Sequence, residues 1–150
     1  MSAGAPSASL GAMYQEVILA HYRAPHNKRA LAATTARAER RNPLCGDEVA
    51  VEVLVERGVV VDAAFSGRCC SIAQASASMM TDVVIGATRA EAEARFREVD
   101  ALLNGRAVDV DDQTLGDRAA LRGVAPFPAR VACALLPWLS FRDAMEQVTA

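Results

Sequence analysis

The sequence predicts an α+β domain in which a small antiparallel sheet of about three strands packs against several helices. Two observations carry this. Alternating β-branched runs sit together near the middle of the chain, and the periodic segments after them are helical. The two clearest runs are separated only by Arg57-Gly58, a tight turn that demands antiparallel pairing. No internal repeat and no second domain is evident, so residues 10–150 read as a single domain behind a short disordered tail, residues 1–9.

Leu10, Tyr14, Val17, Ile18, His21 and Tyr22 recur at helical spacing, predicting a helix over about 10–23 that Pro25 stops. Residues 37–42 are expected as an edge strand. In the stretch 48–55, Val49, Val51, Val53 and Val55 fall on one face. A second β-branched run, 59–65, follows the Arg57-Gly58 turn, and Ser66-Gly67 ends it. Residues 70–85 read as a helix closed by Gly86. Thr88 and Glu91 form a capping box for the next helix, which carries Ala92, Phe96, Val99 and Leu103 and stops at Asn104-Gly105. An acidic loop is expected over 106–114 and a short helix over 116–121. Pro128 suits the first turn of a last helix reaching about residue 146, with a kink at Pro137.

Bulk properties exclude several classes. Hydrophobic residues make up 52% of the 150, enough for a real core and too many for a disordered chain. The formal net charge of -2 argues against nucleic acid as a partner, which needs a basic face. No apolar run has the length of a membrane span, and the first nine residues lack signal-peptide features. A cytoplasmic protein is expected, where thiols stay reduced and four cysteines point to metal or sulfur chemistry before disulfides.

Those cysteines lie at element boundaries. Cys45 and Asp47 flank Gly46, and residues two apart on extended backbone face the same side. One thiolate and one carboxylate can thus reach a common ion; equally, Asp47 could cap backbone amides in a turn. Cys70 opens a small-residue helix, where free amides favour a thiolate, though a buried cysteine packs there as well. Cys133 lies three residues after Arg130, on a similar helix face; the arginine could lower the thiol's pKa or pair with Asp47, or sit on the surface above a core cysteine. Three thiols and a carboxylate are enough for a four-coordinate zinc shell. Cys69 reads as a reduced bystander. His21 and His26 straddle Pro25 and form no helical pair; His21 reads as a core or interface residue. Asp82 and the acidic run Asp109, Asp111 and Asp112 read as solvated charges.

Taken together, these residues resemble the SufU branch of the IscU/NifU-N iron–sulfur assembly family. The resemblance spans about residues 13–145. It rests on Tyr14 to Tyr22, Pro25 and Asn27, Asn42-Pro43-Leu44-Cys45-Gly46-Asp47, Cys70-Ser71-Ile72, Ala75 to Met80, Leu115-Gly116-Asp117, and Phe127-Pro128-Ala129-Arg130 leading to Cys133 and Trp138. Ala132 stands where IscU-like proteins carry a histidine, and residues 104–123 look like the insertion of SufU-like proteins. Cys69 departs from the glycine usual there.

The resemblance implies a SufE/IscU-like sandwich. It also implies a Zn²⁺ site made by Cys45, Asp47, Cys70 and Cys133, with Arg130 supporting ligand exchange. It further implies persulfide transfer from a SufS-type cysteine desulfurase to Cys45, the ligand best able to leave, with downstream iron–sulfur assembly proteins as further partners. The alternative it leaves is a scaffold building a transient [2Fe–2S] cluster on the same ligands. A structural zinc domain is disfavoured, because the ligands are far apart in sequence.

Overall fold

A computed structural model of the chain describes residues 4–148, with side chains described from residue 11. The first helix, α1, spans Gly4–Arg23 and so begins earlier than periodicity suggested. Of the expected tail, residues 1–3 lie outside the described residues, and residue 4 onward is helical. Alanine is the best helix former, and Pro6 falls in the first turn, where its missing N–H costs no hydrogen bond.

Three strands follow, β1 (Ala36–Asn42), β2 (Asp47–Glu56) and β3 (Val59–Ser66), in the order β1-β2-β3 and antiparallel throughout. The valine alternation sets the register. Val51 faces Ala38 on one side and Phe65 on the other, and Val49, Val51 and Val53 are fully buried. Arg57 (φ 53°) and Gly58 (φ 76°) are both left-handed, as a two-residue turn of twist-matched type requires.

The helices cover one face of this sheet. α2 (Ser71–Val84) lies between α1 and α5 (Pro128–Glu146), and α5 lies across β1 and β2. Small residues on α2, Ala73, Ala75, Ser76, Ala77 and Ser78, are all buried and let both neighbours come close. Ser76 does more than fill space. Its hydroxyl donates to the Ala134 carbonyl (2.6 Å) and accepts from the fully buried Trp138 indole (3.1 Å). α5 is thereby fixed in rotation and height against α2. Ser140 donates to the Val49 carbonyl (3.2 Å), tying the same helix to β2. The helix continues through Pro137, whose missing N–H leaves the Cys133 carbonyl without its usual helical donor.

α3 (Arg89–Leu103) starts on the expected capping box, with reciprocal Thr88 and Glu91 hydrogen bonds. The loop expected over 106–114 is partly helical instead. Asp111 caps a single turn, α4 (Asp112–Leu115), by accepting from the Thr114 N–H (2.8 Å). A 3₁₀ helix, Gly116–Val124, then brings Leu121 and Val124 into the core.

The β3–α2 connection bends back onto the mouth of β2. The Glu48 N–H donates to the Arg68 carbonyl (2.8 Å), and Gly67 adopts φ +125°. A Cβ built on Gly67 would stand 2.1 Å from the Glu48 carbonyl oxygen, which is backbone and cannot yield. Gly58 also has positive φ but open space around it. Gly67→Ala should therefore cost about 3 kcal/mol or more and Gly58→Ala only about 1 kcal/mol, since the first adds a clash to the strain both share. Urea unfolding midpoints check this; equal losses would refute the close approach.

Candidate metal centre

The site is assembled where three connections meet. The β1–β2 turn is closed by Asn42, whose carbonyl accepts from the Gly46 N–H (2.8 Å) and whose side chain accepts from the Leu44 N–H (3.1 Å). Gly46 takes φ +76°, so the chain reverses between the two candidate ligands. Cys45 ends up exposed and Asp47, the first residue of β2, buried.

Cys70 is the N-cap of α2. Its sulfur accepts from the Ala73 N–H (3.4 Å), and its own N–H donates to Asp47 Oδ1 (2.8 Å). Cys133, in the second turn of α5, is buried and lies with Sγ 3.4 Å from Cys45 Sγ. One ligand atom each from Cys45, Asp47 and Cys133 falls within 4.8 Å of the other two. Cys70 is outside that trio, but it is close enough to Asp47 and Cys133 for their titrations to affect one another. All four cysteines are free thiols.

The charges reveal what the cluster lacks. Burial works against the Asp47 carboxylate. The hydrogen bond from the Cys70 N–H and the nearby Cys70, Cys45 and Cys133 thiols outweigh it and hold the group below the usual carboxylate range. Its Oδ2 atom is nevertheless buried without any hydrogen-bond partner. A buried orphan oxygen on a carboxylate is costly unless a donor or cation meets it. Burial also pushes the Cys133 thiol well up, helped by hydrogen bonding with Cys45 and Asp47. Burial raises Cys70 too, and the Ala73 N–H does not offset it. The helix N-terminus therefore does not make Cys70 a thiolate by itself, contrary to the expectation from its position. An orphaned anionic oxygen among sulfur donors fits a thiophilic divalent cation, and zinc accepts this mixture of S and O ligands.

Two sequence expectations resolve differently. Cys69 points aside: its thiol is half-buried, directed at the Glu48 carbonyl (3.7 Å), and pushed up to about 11 by burial. Among the described residues Arg130 makes no hydrogen bond to the thiols and no ion pair with Asp47. It is exposed, stacks on Phe127 with 4.8 Å from guanidinium carbon to ring centroid, and lines a groove with Tyr14, Ile18 and Ile72. Its expected support of the thiolates has no contact behind it. The first turn of α5 projects outward, while Cys133 one turn later faces α2.

The cluster opens into a cleft of about 830 Å³ shared by Tyr22, Arg23, Lys28, Arg68 and Gln74. Lys28 is the only lysine of the sequence. Its place at the site comes from Asn27, whose left-handed turn (φ 60°) lays the chain beside the end of β3. Lys28 Nζ then donates to Gln74 Oε1 (2.7 Å).

Comparison with known proteins fits this geometry. The family model for the NifU-like N-terminal domain matches residues 13–134. A zinc-dependent sulfurtransferase, SufU, from Bacillus subtilis is 39% identical over 88% of this chain and 88% of its own. An iron–sulfur cluster assembly scaffold protein, IscU, from Streptococcus pyogenes is 34% identical, covering 92% of this chain and 86% of its own. The crystal structure of a putative iron–sulfur cluster assembly scaffold protein for the SUF system from Fervidobacterium islandicum superposes with a TM-score of 0.80. It is 30% identical and covers 87% of this chain and 94% of the other.

Because Cys70 and Cys133 are raised, both are protonated near neutral pH in the metal-free protein, and loading a thiophilic metal must expel their protons. Apparent zinc affinity should therefore rise with pH, by about tenfold per pH unit for each thiol that ionises. Chelator competition between about pH 6 and 8 measures it. A flat profile would mean that the thiols are already ionised.

Proposed function

The chain belongs to the NifU-like N-terminal domain family, with iron–sulfur cluster assembly proteins of the SufU and IscU type as relatives, and from that premise we propose that it is a zinc-dependent persulfide acceptor serving a cysteine desulfurase of the SufS type. The observation that carries this reading is the orphaned Asp47 Oδ2 beside three thiols. Cys45, Asp47, Cys70 and Cys133 would hold the metal. When bound, zinc keeps such thiols ionised at neutral pH and shields them from oxidation.

The four ligands differ in freedom, and this supports the division of roles. Cys70 caps α2, and Cys133 is seated in α5 by the contacts of Ser76 with Ala134 and Trp138. Asp47 is fixed by the Cys70 N–H. Cys45 alone rides an exposed turn, next to Leu44, which is 92% exposed. It can swing outward without breaking a helix. Its thiolate would attack the outer sulfur of the desulfurase persulfide. The partner's S–S bond breaks, its thiolate leaves, and Cys45 carries the new S–S bond. The exchange is redox-neutral and needs only reduced thiols, which suits a cytoplasmic setting. No helix among the described residues is long and apolar enough to cross a membrane. Downstream iron–sulfur assembly proteins would receive the sulfur.

A scaffold role, in which the same ligands build a [2Fe–2S] cluster, predicts a different metal content. Aerobically purified protein should contain one zinc per chain and no acid-labile sulfide; stoichiometric iron with sulfide would establish the scaffold instead. With a desulfurase and cysteine present, persulfide should form first on Cys45, and Cys45→Ser should lower sulfur uptake by about a hundredfold, as expected for loss of a nucleophile. Peptide mapping of trapped persulfides decides it. Label chiefly on Cys69 or Cys133 would overturn the role of Cys45.

A further inference from the structure

A second group of metal-ligating side chains lies away from the thiols. Read along the chain, His21 and His26 are separated by the break at Pro25, and Asp82 is a surface charge. The fold brings all three together. Beyond α1 the chain doubles back onto α2, where the His26 N–H donates to Ser78 Oγ (2.8 Å) and the Asn27 side chain donates to Thr81 Oγ1 (3.0 Å). The two imidazole centroids come to 4.8 Å, and His26 Nδ1 meets Asp82 Oδ2 at 2.7 Å. One ligand atom from each of His21, His26 and Asp82 lies within 4.8 Å of the other two.

We propose that His21, His26 and Asp82 form a second metal site, free of sulfur, whose two-histidine, one-carboxylate donor set takes ferrous iron. Such a set, with its other positions open to water, is the arrangement that non-haem ferrous iron uses. The His21 ring is fixed in place, and a metal must displace one of its two hydrogen bonds. His21 is 4% exposed, and both its ring nitrogens are held, Nδ1 by Ser78 Oγ and Nε2 by Asp117 Oδ2, each at 2.7 Å. Whichever nitrogen turns to the metal, the other keeps its partner, the outer contact that orients metal-binding imidazoles. His26 and Asp82 are about half-exposed, so an ion can enter and exchange. A cleft of about 490 Å³ beside His21, His26 and Asp117 leaves room for its waters. The thiol cluster is remote. Asp82 is three turns beyond Cys70 on α2, about 18 Å at ~1.5 Å per residue. The two sites also differ in chemistry, thiolate-rich against nitrogen and oxygen, so they can hold different metals at once. The proposal does not depend on sulfur transfer.

The test uses the full chain with its thiol site loaded with zinc. Under anaerobic conditions it should bind one further equivalent of Fe²⁺ while retaining its zinc. Co²⁺ in place of iron should give weak visible bands without the intense sulfur-to-metal charge-transfer absorption. Its paramagnetism should shift the His21 and His26 ring resonances in the unmutated protein. His26→Ala and Asp82→Asn change exposed side chains, and each should weaken the second equivalent at least tenfold with zinc content unchanged. The site is refuted if no second equivalent binds, if Co²⁺ shows thiolate charge transfer, if neither ring resonance moves, or if both variants bind as the parent does.

Discussion

The architecture of the thiol site depends on one close approach, that of the β3–α2 connection to the start of β2. Gly67 passes so near the Glu48 carbonyl that no side chain fits, and the Glu48 N–H closes the contact on Arg68. Three residues later the backbone N–H of Cys70 reaches Asp47 Oδ1. The helix end and the strand end are therefore one unit. Without it, Cys70 and Asp47 would belong to separate elements with nothing to set their spacing. Cys133 joins through a second tether, the Ser76 hydroxyl, which anchors α5 on the same helix. α2 thus sets the position of both: one ligand caps it, and another is hung from its middle.

This rigid frame surrounds an electrostatic conflict. Asp47 stays ionised because the Cys70 amide donates to it and thiols lie close, yet one of its oxygens has no partner. The neighbouring thiols are held protonated by burial. A domain selected only for stability would replace such a cluster with apolar side chains, since a buried, partly satisfied polar group is worse than none. Elsewhere buried polar groups such as Arg118, on Glu98, and Ser140, on the Val49 carbonyl, have partners. Arg142 Nε is the other buried side-chain atom without a hydrogen-bond partner among the described residues. Asp47 Oδ2, however, is the one on an anionic group and set among thiols, which is what a cation site would look like before loading.

Local chemistry was legible in the sequence, and long-range placement was not. The valine alternation, the Arg57-Gly58 turn and the Thr88 capping box each act within a few residues, and the observed elements follow them. α1 begins early because alanine propensity extends a helix beyond its apolar stripe. The turn of α4 escaped because Asp111 reads as charge when it acts as a cap. Three-residue spacing from Cys133 does not reveal that Arg130 is exposed and stacks on Phe127 while Cys133 is buried. His21 and His26 meet only because Asn27 and Ser78 fold the post-helix segment onto α2, a contact between residues more than fifty positions apart. Periodicity carries no information about such a pairing.

The remaining asymmetry concerns motion. On the proposed reading, a site that both holds a metal and offers a thiol cannot anchor every ligand equally. Of the four candidate ligands, Asp47, Cys70 and Cys133 are held by contacts that also stabilise the fold, so displacing them would disturb α2 or α5. The fourth sits on a turn held chiefly by Asn42, beneath an exposed leucine, above a cleft edged by Arg23, Lys28 and Arg68. Those cations make the opening basic, which favours approach of an anionic group over a neutral one. The exposed turn and the basic rim thus lie on the same side of the cluster, while the helix-borne candidate ligands close the other. Access and rigidity are separated in space, which is what a guarded but reactive thiol requires.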